Sequence, residues 1–207
     1  MHRPISALAA AGLLLGAAGA ADAALIWQDE FARSSSSSVG NGWSETENDA
    51  NDVGIVFDNY LLLRDNNPDA AATRTGISTL GYENITVEFR WRPWDSEGED
   101  RLTFRYQVLP DLMWTIAFDT DLGGHETYRT ETVVLDVAAA DTAALDIRFA
   151  LDATYWKDAA KIDYVRIYGT EIADNGGGPT SVSAPGTLAG AGLGILGLAA
   201  LGRRRCT

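Results

Sequence analysis

Along residues 24–172 the chain alternates apolar and polar positions with a period of two. In "ITVEFRWR", Ile85, Val87, Phe89 and Trp91 fall on one side, and Thr86, Glu88, Arg90 and Arg92 on the other. "LTFRYQV" (residues 102–108) and "LDIRFALD" (residues 145–152) alternate in the same way. Successive side chains on a pleated strand point to opposite faces, so each stretch reads as a half-buried antiparallel strand. Further strands are predicted over residues 25–31, 54–57, 60–64, 71–78, 113–118, 132–137 and 161–168. Polar clusters rich in turn formers separate them: "ENDANDVG", "DNNPDA", "DSEGED" and "DTDLGGHE". About ten short strands at this spacing, with no 3.6-residue periodicity, predict an all-β domain folded as a two-sheet antiparallel β-sandwich. "SSSSS" (residues 34–38) reads as a loop, and no internal repeat is present.

The pattern changes at both ends. Residues 5–20 are an uncharged run of small and apolar residues, preceded by Arg3 and followed by "ADA". A charged start, an apolar stretch and a small-x-small triplet predict a secretory signal peptide over residues 1–23. Residues 173–181, "ADNGGGPTS", read as a Gly-rich linker. Residues 186–202 then carry no charge and are followed by Arg203, Arg204 and Arg205. Seventeen helical residues at about 1.5 Å each span roughly 26 Å, the short limit for a bilayer. The arginines favour the cytoplasmic side, so this membrane helix would leave the preceding domain facing outward.

Residues 182–207 resemble the PEP-CTERM sorting signal of Gram-negative bacteria. The resemblance is carried by "PGTL" and "GLGILGLAALGRRR", with Ser183, Ala184 and Pro185 standing where that family has Pro-Glu-Pro. It implies a sorting signal built on Pro185, Gly186 and Arg203–Arg205. It also implies an exosortase partner, residence at the cell surface or in the extracellular matrix, and a link to exopolysaccharide or biofilm.

Charge and residue counts narrow the chemistry. The chain holds 16 Lys and Arg against 29 Asp and Glu, a formal charge of −13. Such a surface repels phosphate backbones and argues against nucleic acid as a partner. The sole cysteine, Cys206, lies beyond the arginines, so a processed domain has no disulfide or thiol chemistry. His125 is the single histidine after residue 2, which leaves neither a His-rich zinc site nor a Cys–His pair. No G-x-S-x-G elbow is present. "DANDVG" fails as an EF-hand, because Val53 takes a ligand position and Tyr60 stands where the bidentate Glu belongs. Paired acids are plentiful but nonspecific, and we expect no enzyme.

The domain also resembles the jelly-roll modules of exported bacterial proteins, including carbohydrate-binding and adhesion sandwiches. "DEF", "GNGW", "STLGYENITVEFRWR" and "KIDYVRIYG" carry that resemblance across residues 25–168. It implies that the first strand pairs with the last. Sugar rings stack on aromatic side chains, and the aromatics in predicted loops are Trp94, Tyr155 and Trp156, the candidate ligand-binding residues. Trp27, Trp91 and Trp114 lie within strands and read as packing. The resemblance further implies a structural Ca2+ between the first and last strands, for which Asp29, Glu30 and Asp163 are the candidate ligands. Asp163 shares the strand parity of Val165 and Ile167 and would face inward. A pairing with Arg or Lys, or a water-facing carboxylate, is the alternative. The function expected is a surface or matrix protein that binds extracellular polysaccharide. A secreted carbohydrate-active enzyme using paired Asp/Glu, and a purely structural biofilm-matrix protein, are the alternatives.

Overall fold

The computed structural model describes residues 23–47, 51–57, 59–64, 70–96, 98–111, 113–123, 126–155 and 157–173. Trp156, His125, nearly all of the expected signal peptide and linker, and the whole tail with Pro185, Gly186, Arg203, Arg204 and Arg205 lie outside the described residues. Contacts divide the chain into two units after Ile172, and every strand belongs to the first.

The described residues form eleven strands: β1 (Ala24–Asp29), β2 (Trp43–Thr46), β3 (Val53–Val56), β4 (Tyr60–Arg64), β5 (Ala71–Ile77), β6 (Tyr82–Trp94), β7 (Arg101–Val108), β8 (Thr115–Asp121), β9 (Arg129–Val134), β10 (Leu145–Asp152) and β11 (Ala159–Glu171). One sheet runs β3-β4-β11-β6-β9, with β1 added along β11; the other runs β2-β5-β10-β7-β8. The first strand thus pairs with the last, antiparallel, from Ala24 opposite Gly169 to Asp29 opposite Val165.

The alternation in β6 does what its period dictates. Ile85, Val87, Phe89 and Trp91 are fully buried, while the intervening side chains stand on the outer face. Phe89 meets three rings of the opposite sheet, with centroid distances of 5.4 Å to Phe104, 5.3 Å to Phe118 and 5.1 Å to Phe149. This phenylalanine cluster is where the two sheets close on each other.

Three local expectations are corrected. β2 has no counterpart among the predicted strands, because "WSET" is too short to show a period. The strand expected over residues 132–137 ends at Val134, and Val137–Ala139 forms a 3-10 turn capped by Asp136, whose Oδ1 accepts from the Ala138 amide at 2.9 Å. Third, Asp163 does not share a face with Val165. A register shift between Ile162 and Tyr164 inserts an extra residue, so Ile162 and Val165 both point into the core while Asp163 stands outside.

The serine loop lies against the β3 edge. Ser36 exchanges two backbone hydrogen bonds with Ile55, at 2.9 and 2.8 Å. The close approach needs Gly54, since a Cβ there would stand 2.5 Å from the Ser36 carbonyl oxygen.

Candidate functional site

The outer face of the β3-β4-β11-β6-β9 sheet gathers cations and aromatic rings. β6 contributes Arg90, Arg92 and Trp94, β11 contributes Lys161 and Arg166, and β4 contributes Tyr60, Leu62 and Arg64. The guanidinium of Arg90 lies 4.2 Å from the centre of the Tyr128 ring, and that of Arg92 lies 5.0 Å from it. Arg92 also reaches Trp94, at 4.9 Å. Lys161 Nζ sits 3.0 Å over the Trp94 ring and 4.8 Å from that of Phe57.

At the Trp94 end a pocket of about 360 Å3 opens, walled by Phe57, Trp94, Arg64, Asp95, Lys157 and Lys161 and floored by Val56, Leu62 and Ala159. A second hollow of about 320 Å3 adjoins it, lined by Ser35, Ser36, Ser37, Asn51 and Gly54. Val56, Leu62 and Arg64 line both, so the two hollows adjoin across β3 and β4, and together they form the groove. Each half has the size of a small-ligand site.

Two features of the groove cost the fold energy. Phe57 is two-thirds exposed. Its backbone is left-handed, at φ +51°, which a bulky residue adopts only under strain. The tight β3–β4 turn imposes this, with the Asn59 amide donating to the Val56 carbonyl at 3.3 Å. Lys161 is almost wholly buried, and its Nζ has no hydrogen-bond partner among the described residues. Burial, reinforced by the Arg92 charge and opposed by Glu126, pulls its pKa down to about 8.

Of the residues singled out in sequence, Trp94 lines the pocket. Tyr155 is half exposed in the β10–β11 loop; it does not line the groove, although its near neighbour Lys157 does. Trp156 is not described. Phe57, Arg64 and Lys161 were not singled out, because the groove joins residues more than a hundred positions apart in the chain. The expected packing role suits Trp91, fully buried, and Trp27, which packs against the core. Trp114 instead stands just before β8, with the Arg148 guanidinium 6.0 Å from its ring.

The three candidate calcium ligands are each held by an arginine. Asp29 accepts from both terminal guanidinium nitrogens of Arg33, at 2.8 and 3.1 Å, from Asn41 Nδ2 at 3.1 Å, from Trp43 Nε1 at 2.9 Å and from the Phe31 amide at 2.8 Å. Burial raises its pKa, but these donors together outweigh burial and hold it below the ordinary value. Glu30 takes a bidentate contact from Arg166, at 2.8 and 3.1 Å. Asp163 accepts from Arg90 at 3.2 Å, and there burial prevails over the arginine and raises the pKa. Among the described residues, no three His, Cys, Asp or Glu side chains are grouped to hold a metal ion.

Among the solved structures to which the sandwich is similar are two xylan-binding proteins. One is the CBM22-1 xylan-binding domain from Paenibacillus barcinonensis Xyn10C, at 10% identity and a TM-score of 0.50, with 75% of this chain and 100% of that one covered. The other is the xylan-binding module CBM15, at 14% identity and a TM-score of 0.50, covering 74% of this chain and 100% of that one. No family model and no curated protein sequence matches the chain.

Proposed function

We propose that this domain binds an extracellular polysaccharide in the groove between the Phe57–Trp94 rings and the serine loop. The observation that carries the reading is Phe57: a large ring held exposed, in a strained turn, at the mouth of a polar-walled pocket. An exposed aromatic of that kind burdens the free protein and gains its compensation when a ligand covers it. Two adjoining hollows suit a polymer, with rings to stack a sugar in one and hydroxyl and amide groups to hydrogen-bond one in the other. The xylan-binding proteins of similar fold add weight to a non-catalytic, binding role.

Phe57→Ala and Trp94→Ala should each weaken polysaccharide binding about five- to tenfold, from roughly 1 kcal/mol per stacked ring. Affinity electrophoresis across a polysaccharide panel reads the first effect, and thermal unfolding should show the domain intact. Normal binding by both variants would remove the groove from the reading.

Export and sorting complete the proposal. The tail resembling PEP-CTERM signals would pass the protein to an exosortase, which would process it and place the domain at the cell surface or in the matrix. Replacing Arg203, Arg204 and Arg205 with Ser should then leave unsorted precursor while the domain folds normally. Fractionation and blotting decide the matter, and a variant trimmed and localised like the parent would sink the sorting-signal reading.

A structural Ca2+ at Asp29, Glu30 and Asp163 is a further proposal, and it has a competitor in each arginine. The ion would have to displace Arg33, Arg166 and Arg90 from carboxylates they already hold. Calcium added after chelation should raise the melting temperature if it does so, and an unmoved melting temperature rejects the site.

A further inference from the structure

We infer that the Trp94 half of the groove selects an acidic sugar, a uronate residue whose carboxylate pairs with Lys161. The inference rests on the polysaccharide-binding reading and deepens it by naming the ligand's chemistry.

Lys161 is 2% exposed and its ammonium has no hydrogen-bond partner among the described residues. An ammonium taken out of water without an anion or acceptor is costly, and the Trp94 and Phe57 rings around it offset only part of that cost. The side chain lines the pocket beneath the Trp94 ring, so a ligand that shifts that ring can bring the missing acceptor. Arg64 and Lys157 line the same pocket, against Asp95 as the one acid among the lining residues. Even with Asp52 3.9 Å from Arg64 and Glu126 near Lys161, cations predominate on the pocket lining, against a chain net charge of −13. A neutral sugar would leave the Lys161 charge with only Glu126 to offset it. A carboxylate entering between Lys161 and Arg64 would gain charge-assisted hydrogen bonds in a partly water-excluded site. Phe57, at the same mouth, can cover the apolar face of the ring that bears the carboxylate.

Charge also predicts how binding varies with pH. The groups facing Lys161 are Arg92 from β6, Glu126 from the segment before β9, and Arg64, Asp95 and Lys157 around the pocket. Glu126 is itself engaged, since its Oε1 accepts from the Asp95 amide at 3.2 Å. Sugar carboxylates stay ionised above about pH 5. The Lys161 ammonium, with its pKa at about 8, therefore loses its charge in the mildly alkaline range. Uronate binding should weaken as pH rises through about 8, and binding of a neutral polymer should not.

The test uses the purified protein with polygalacturonate, carboxyl-reduced polygalacturonate, neutral xylan and dextran sulfate as probes, each by calorimetry at low and high salt. Polygalacturonate is expected to bind more tightly than its carboxyl-reduced form, with the preference falling as salt rises. Lys161→Met should lower polygalacturonate affinity by about tenfold and so remove most of the preference over the carboxyl-reduced polymer, because the charged contact is lost. Its melting temperature should not fall, since a partnerless buried charge is removed. Arg64→Gln, at a position whose side chain is 37% exposed, should reproduce the loss more weakly, and its melting temperature separates a binding loss from a folding defect. Equal affinity for the native and carboxyl-reduced polymers overturns the proposal, as does a Lys161→Met protein that binds polygalacturonate normally. Lys161-dependent binding of dextran sulfate alone overturns the assignment of a carboxylate. Xylan binding without any response to polygalacturonate sinks the uronate inference and spares the polysaccharide reading. No binding to any probe sinks both.

Discussion

Asp29→Ala should cost the domain about 3 kcal/mol, enough to threaten a fold whose whole stability is of order 5–15 kcal/mol. Asp29 is 5% exposed and terminates β1. Its two oxygens gather five donors from four residues: the Arg33 guanidinium, Asn41, Trp43 and the Phe31 amide. Truncation leaves the buried Trp43 indole and Phe31 amide without an acceptor and strips the anion from Arg33, and unmet buried donors are what make such a deletion expensive. Trp43 in turn packs on Phe31 at 5.6 Å and on Phe149 at 6.4 Å, so the loss reaches the core. Urea unfolding followed by tryptophan fluorescence measures the effect. A cost under about 1 kcal/mol would mean that water replaces the carboxylate and that the network is peripheral. The pH dependence has a fixed sign. Because the folded pKa lies below the ordinary 3.8, the contribution is complete above that value and is lost as pH falls through the folded pKa.

Phe89→Ala should be at least as damaging, at about 3–5 kcal/mol. Phe89 is fully buried on β6 and is the ring by which the β3-β4-β11-β6-β9 sheet meets Phe104, Phe118 and Phe149 of the other. Removing it opens a cavity between the sheets and forfeits edge and tilted aromatic contacts worth about 0.5–1.5 kcal/mol each beyond the area buried. Phe89→Leu keeps much of the volume and should cost clearly less. Equal destabilisation by the two variants would show that ring shape, rather than filled volume, governs the site.

The strands that a reader of the sequence can find are those with several alternating pairs or, as in "YLLLR" of β4, a bounded apolar run. β4 and β10 match their expected limits residue for residue, and β6, β7 and β11 are found with their ends short by one to three residues. Pairing of the first strand with the last was also legible, through the resemblance to jelly-roll modules. What failed depended on single residues. One extra residue at the β11 bulge turned Asp163 outward against the parity of its neighbours. The groove was legible only at Trp94, because a Trp at a strand end stands out. Lys161 occupies an ordinary polar position in an alternating strand. Nothing in "KIDYVRIYG" shows that Trp94 and Phe57 will cover its ammonium, since that depends on β6 and the β3–β4 turn meeting over β11.

Whether a glycan binds in the Phe57–Trp94 groove can be read from the tryptophan indole NMR signals during titration with polygalacturonate oligomers. Trp94→Phe assigns its signal. If the groove is the site, the Trp94 indole moves saturably while Trp43 and Trp91, buried in the core, stay in place. A saturable shift confined to Trp114, beside the opposite sheet, or no saturable shift with either polygalacturonate or xylan oligomers, would refute glycan binding at this groove.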